Sequence, residues 1–291
     1  MSKDLSISKK IFYDSWQNIF FKFSVFFFIF ICLLAFFYPE ISSIKAEKMN
    51  IKSKFLPPIF FEGFTWRHIL GTDQLGRDML MRCLVGLRYS LIIGFTSVFI
   101  MLLFGCLVGI ISGFKSSWID VIIMRITDAQ LSIPMVILAI SILGVSRPNL
   151  ASIILVLALS GWPLYARVSR SMALIERDKE YIRGARILGA SDFRIILYLV
   201  IPIILPPIAF VSVLDIARMM IFEAILGFLG LGVQPPTPTF GNVIADSRKY
   251  IMNAWWIATM PGVFLVITLV TINYIGSTLE KSKNKFFGEG V

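Results

Sequence analysis

Few side chains in this sequence can do chemistry, and those that stand out are charges set among apolar residues. Asp215, Arg218 and Glu223 interrupt one hydrophobic stretch. An ionisable group at membrane depth faces a cavity or pairs with a neighbour. Asp215 and Arg218, three apart, share a helix face and can form an ion pair without further function. Glu223, five residues on, is the better candidate for a translocation pathway or an inter-subunit contact. A chemiosmotic proton relay would call for more such groups in more than one span. The single histidine, His68, leaves His-based triads, haem ligation and zinc hydrolysis without their parts, and reads as a loop residue. Cys32, Cys83 and Cys106 are odd in number, far apart and mostly in or beside apolar runs, so no disulfide, metal site or redox role is expected. No GxxxxGK[ST] phosphate loop occurs, and the chain is not expected to hydrolyse ATP on its own.

A second group of charges reads as a docking surface. In residues 180–207, EYIRGARILGASDFRIILYLVIPIILPP, a helical spacing puts Lys179, Arg183 and Arg186 on one side and Tyr181, Ile182, Ala185 and Leu188 on the other. Gly184 and Gly189 each cost a helix about 1 kcal/mol against Ala. Gly189 followed by Ser191 and Asp192 predicts a stop, a turn and an N-cap, giving a helix, an elbow and a second helix.

The elements that must hold these groups are membrane spans. The chain is 57% apolar with a mean hydropathy of +0.80, which no ordinary soluble domain matches. Uncharged windows at Phe23–Pro39, Tyr89–Phe114, Ala129–Ser146, Pro148–Ala166, Ile195–Leu214 and Tyr250–Leu279 predict six transmembrane helices in an all-α chain. Lys and Arg near the span ends place the 167–194 loop, the amino terminus (Lys3, Lys9, Lys10) and the carboxyl terminus (Lys281, Lys283, Lys285) in the cytoplasm. The 40–88 segment, external in this topology, carries Lys45, Lys48, Lys52, Lys54, Arg67, Arg77, Arg82 and Arg88 against that rule. The organisation expected is residues 1–88 as amino-terminal segment, first span and external loop, 89–280 as a five-helix core and 281–291 as a tail. The net charge of +10 is spread over span flanks without a stripe or stacking platform, which points to topology and anionic lipid and not to nucleic acid.

Two loop motifs complete the pattern. ILGTDQLGRD at 69–78 offers glycines for tight turns, a Thr-Asp pair able to cap the following helix and an Arg-Asp pair for local hydrogen bonds. LGFLGLGVQPPTPTFG at 226–241 passes from close-packing glycines into a proline-stiffened turn. A PxxP ligand for a soluble domain is the alternative there, disfavoured because the segment faces outward.

Taken in order, LGTDQLGRD at 70–78, RYSLIIG at 88–94, GWPLYARVSR at 161–170, GARILGAS at 184–191 with PIILP at 202–206, and FLGLGVQPPTPTFGN at 228–242 carry a family resemblance over roughly residues 65 to 280. The chain resembles the inner-membrane permease subunit of bacterial ATP-binding-cassette importers, of the OppC and DppC type serving oligopeptide, dipeptide and nickel systems. The family's signature, Glu-Ala-Ala, three residues, Gly, nine residues, Ile-x-Leu-Pro, fits at Gly189 and at Leu199-Val200-Ile201-Pro202. The triplet departs, with Arg183-Gly184-Ala185 in its place.

The resemblance implies a type I importer fold whose coupling helix, Arg183, Gly184, Ala185, Arg186, Gly189, Ala190 and Ser191, sits in a groove of a cytoplasmic ATPase. It implies a sister permease of the OppB and DppB type, two ATPase subunits that bind the ATP, an external solute-binding protein, and no cofactor on this chain. Short peptides are the first expectation for substrate and nickel or a nickel chelate the second. The alternatives are a secondary transporter, which calls for sequence-related repeats and coupling-ion groups, a membrane-embedded enzyme, which calls for a nucleophile and base at membrane depth, and a channel subunit without ATP coupling, which would not need the amphipathic loop.

Overall fold

The computed structural model describes residues 7–115, 118–145 and 148–288. Lys3 and the end of the third apolar window at Ser146 lie outside them. Among the described residues the chain forms eleven α-helices and one isolated bridge, Thr72 with Asp78. They are α1 (Ile7–Gln17), α2 (Ile19–Ile41), α3 (Met79–Lys115), α4 (Trp118–Leu131), α5 (Met135–Leu143), α6 (Leu150–Arg177), α7 (Glu180–Ile187), α8 (Asp192–Ile195), α9 (Ile201–Phe228), α10 (Phe240–Ser247) and α11 (Trp256–Gly288). Five helices are long and apolar enough to cross a membrane, and α4 with α5 makes a sixth crossing if the bent pair is one span. A π-helical turn, Ile196–Val200, joins α8 to α9 just ahead of Pro202, whose missing N–H releases a backbone bond there.

Two spans differ from the sequence expectation. The second begins at Met79, ten residues before the predicted Tyr89, so the boundary at 88 falls inside a helix and Arg82 and Arg88 belong to it and not to a loop. Asp73 at 3.5 Å and Asp246 at 3.9 Å from Arg82, and Glu40 at 2.7 Å from Arg88, let these charges enter the helix. The third span is not one straight helix from Ala129: α4 and α5 meet at 86°. Pro134 is the cause, since it restricts Ile133 and cannot donate to the preceding turn.

The core forms where α3 crosses α6. Gly105, Gly109 and Gly113 stack on one stripe of α3, and a Cβ on Gly109 would lie 2.1 Å from Ser169 Oγ and 2.2 Å from the Ala166 carbonyl oxygen. Small residues at such a crossing let two backbones touch, which in lipid supplies packing that the hydrophobic effect does not. Gly109→Ala should therefore cost about 1–3 kcal/mol by overpacking. In a detergent melting assay its midpoint should fall, while Gly262→Ala, where a Cβ meets nothing within 4 Å, should not lower it. Equal melting of both variants would contradict this packing.

The two termini meet at one end of the bundle. Ser15 Oγ donates to Ser282 Oγ at 2.9 Å, and Asp14 accepts from Ser282 (2.9 Å) and Lys285 (2.8 Å). The Lys285 hydrogen bond, with that of Ser282, holds the Asp14 carboxyl below its ordinary pKa against the opposing effect of burial.

At the other end, segment 42–78 is folded back by the 69–78 motif. Asp73 accepts from the Leu75 and Arg77 amides (2.8 and 2.9 Å) and from Arg77 Nε at 2.6 Å, with Arg82 Nε at 3.5 Å. Asp246 of α10 lies 3.8 Å from Arg77 and 3.9 Å from Arg82. Gly76 has φ +71°, and a Cβ there would fall 1.8 Å from the Asn50 carbonyl oxygen. Thr72 Oγ1 donates to Ser53 O at 2.5 Å, and Trp256 Nε1 donates to Thr72 O at 3.0 Å, fastening the segment to α11. The cap of α3 is Asp78, which accepts from the Met81 amide at 2.8 Å, and not the Thr-Asp pair; Arg77 pairs with Asp73 and not with its neighbour Asp78. Asp78 instead takes His68 Nδ1 at 2.8 Å.

Candidate functional site

The predicted elbow is present at the end of the bundle where the termini meet. Ile182, Ile195 and Val200 are fully buried and pin it to the spans. Lys179 Nζ pairs with Glu176 at 2.8 Å, and the Tyr181 hydroxyl donates to the same carboxylate. Gly189, at φ +84°, ends α7: its amide donates to Arg186 O and the Ala190 amide to Ala185 O, both at 3.0 Å. Ser191 then caps α8, accepting from the Arg194 amide at 3.4 Å. A Cβ at Gly184 or Gly189 would meet nothing within 4 Å, so Gly189 answers to backbone conformation and not to packing within this chain.

The faces of α7 differ in part from the helical-wheel expectation. Ile182 points in, but Tyr181 is exposed and Leu188 is 89% exposed; with Ile187 at 86% and the exposed Phe193, it forms an apolar tip beyond the spans. The turn at Gly189 swings Leu188 off the wheel, since it follows the last helical residue. Arg186 is engaged internally, over the Phe114 ring at 5.0 Å and 3.5 Å from Asp192. Arg183 enters no ion pair among the described residues.

Inside the bundle Asp215 and Arg218 form the predicted pair at 2.9 Å, and Tyr165 of α6 donates to the other Asp215 oxygen at 2.6 Å. Asp215, Tyr165, Met172, Pro207 and Val211, with Lys283 of α11, line a cavity of about 390 Å³ between α6, α9 and α11. Glu223 is placed otherwise than expected. It is 0% exposed, accepts from Ser90 Oγ of α3 at 2.7 Å and lies against Thr239, the N-cap of α10. It is enclosed within its own chain by α3 and by the N-cap of α10. Its position is that of an internal tie.

Sequence reasoning missed a polar ladder between α4 and α6. Arg170 grips Asp120 with two bonds, 2.5 and 2.6 Å, Arg167 pairs with Asp128 at 2.6 Å, and Trp162 Nε1 donates to Gln130 Oε1 at 3.1 Å. These residues lie at or beyond the edges of the uncharged windows, or in the case of the two polar ones carry no charge. The signal was the acids at 120 and 128 facing bases at 167 and 170 on the next long helix. The Asp128–Arg167 pair is half exposed on both sides, a state that lipid would penalise, so that face meets water or protein.

Apolar crossings with an exposed elbow after α6 give the bundle the fold of a type I ABC importer permease. The bundle is similar to a chain of the MetNI methionine ABC transporter solved in inward-facing conformations, with a TM-score of 0.57, 20% identity and coverage of 70% of this chain and 97% of that one. The chain belongs to the family of binding-protein-dependent transport system inner membrane components, whose model matches residues 105–282, and within it to the OppC and DppC type. It is 38% identical over 224 residues to the di/tripeptide transport system permease protein DppC of Pseudomonas aeruginosa (strain UCBPP-PA14), covering 77% of this chain and 74% of that protein. It is 33% identical over 248 residues to the probable D,D-dipeptide transport system permease protein DdpC of Escherichia coli (strain K12), covering 85% and 81%.

Proposed function

We propose that this chain is one transmembrane half of an ATP-driven importer of short peptides, with a sister permease as the other half. Two cytoplasmic ATPase subunits bind and hydrolyse the ATP, and an extracytoplasmic binding protein delivers the peptide. The observation that carries the coupling role is the elbow: an apolar tip at Ile187 and Leu188, exposed beyond the spans, held on a buried anchor and flanked by the unpaired Arg183. A tip this exposed on a rigid base suits a groove on another subunit. Arg183, Gly184, Ala185, Arg186, Gly189, Ala190 and Ser191 form that element, and ATP-driven closure would move the bundle through it. The side of the bundle bearing the elbow and both termini is cytoplasmic in this reading. Asp215 and Arg218, with the half-exposed Asp128 and Arg167, belong to the face turned toward the pathway. Peptides are preferred to nickel because the relatives named above are peptide permeases.

Arg183→Glu tests the docking charge with little internal cost, whereas Arg186→Glu also breaks contacts within this chain. In the purified complex Arg183→Glu should weaken ATPase association about tenfold. Unchanged association would reduce the basic face to a positive-inside signal and leave the apolar tip as the only docking element.

A further inference from the structure

The cavity between α6, α9 and α11 has an acid and a base in its wall, Asp215 and Lys283, set apart along the bundle axis. The register of α9 and α11 shows how far. A Cβ on Gly276 of α11 would lie 2.6 Å from the Leu214 side chain of α9, so the two helices are level there. Lys283 follows Gly276 by two turns towards the elbow end, and Pro207 precedes Leu214 by as much. At 1.5 Å per residue Lys283 therefore sits near Pro207, roughly 10 Å along the axis from Asp215. Tyr165 and Asn284 are the other polar lining residues, and the rest of the wall is aliphatic side chains, Met172 and Pro207. The Asp215 oxygens accept from Tyr165 at 2.6 Å and from Arg218 at 2.9 Å. Those two bonds leave acceptor positions over, since an ionised carboxylate offers about four. Lys283 enters no ion pair among the described residues. Its neighbours Ser282 and Lys285 are held by Asp14 of α1, which fixes this end of α11 and leaves Lys283 and Asn284 on its other side.

An acid and a base at opposite ends of an apolar slot complement a zwitterion whose charges are equally far apart. An extended peptide advances about 3.3–3.6 Å per residue, so two or three residues span that separation and five overshoot it. A volume of about 390 Å³ falls within the range of small-molecule sites, roughly 300–1,000 Å³. An apolar wall accepts side chains of many shapes, while a few polar groups at the ends fix orientation. Resting on the peptide-importer reading above, we propose that this cavity is a peptide-binding site that reads the two charged ends of a di- or tripeptide. The ammonium group donates to Asp215 and to the Tyr165 oxygen, and the carboxylate accepts from Lys283 and Asn284.

The test equilibrates radiolabelled trialanine with the complete membrane complex in nanodiscs, without binding protein. The wild type should bind it, and N-acetyl-trialanine and trialanine amide should compete at least about tenfold more weakly, the worth of one charge-assisted hydrogen bond. Lys283→Gln should erase the discrimination against the amide alone, and Asp215→Asn that against the acetylated peptide alone, a pattern that a folding defect does not produce. If Asp215→Asn fails to assemble, Lys283→Gln still decides. No binding of trialanine, equal competition by the blocked peptides in the wild type, or discrimination against the amide that survives Lys283→Gln would each overturn the site. Proteoliposomes of the same wild-type complex, given ATP and binding protein, separate the two readings. Trialanine uptake alongside any of those results overturns the site alone, whereas no uptake of trialanine overturns the importer reading and the site that rests on it.

Discussion

Ile187→Asp combined with Leu188→Asp should abolish peptide uptake, by at least about 100-fold, while the chain remains inserted and folded. Both side chains are almost fully exposed, so their replacement removes nothing from the core of this subunit. At the centre of a protein interface each such anchor is worth about 2 kcal/mol or more. Two carboxylates in an apolar groove add the cost of desolvating charge. The variant chain should purify with its sister permease and without the ATPases. Retention of the ATPases at wild-type stoichiometry would remove the elbow from the coupling path.

Asp73→Ala should have the largest effect on the fold itself. The Asp73 carboxylate receives two backbone amides and Arg77 Nε, and stands 3.5 Å from Arg82; its loss strands two buried guanidinium groups with only the distant Asp246. Removing one partner of a buried ion pair costs about 3–5 kcal/mol, a large part of a typical folding free energy of about 5–15 kcal/mol. Loss of a monodisperse detergent-extracted species, and protease cleavage within 42–78, are the expected readouts. Asp73→Asn keeps an acceptor for the amides and should fall between. A wild-type melting profile for Asp73→Ala would show that the staple does not hold this segment.

The sequence was legible where one residue type dictates one local outcome. Gly189 could be read as a stop because a left-handed terminus favours glycine, and Ser191 as a cap because its hydroxyl satisfies an orphan amide. Five of the six expected crossings followed from hydrocarbon thickness, and the sixth is the bent pair α4 and α5. What could not be read was geometry set by distant partners. Window counting excludes charges, so it delayed the start of α3 past Arg82 and Arg88, which enter the helix only because Asp73, Asp246 and Glu40 await them. The same counting hid the Asp120 and Asp128 ladder to α6. Leu188 was placed on one face with Ile182 because a helical wheel assumes the helix continues past Ile187. Glu223 drew a functional reading from its charge, yet Ser90 and Thr239, far away in sequence, enclose it.

The most direct test places a photo-cross-linking residue at position 188 in the native membrane. An adduct with an ATP-binding subunit, its yield changing when ATP is added, is the expected result. Adducts to lipid alone, from a complex that still contains its ATPases, would contradict it.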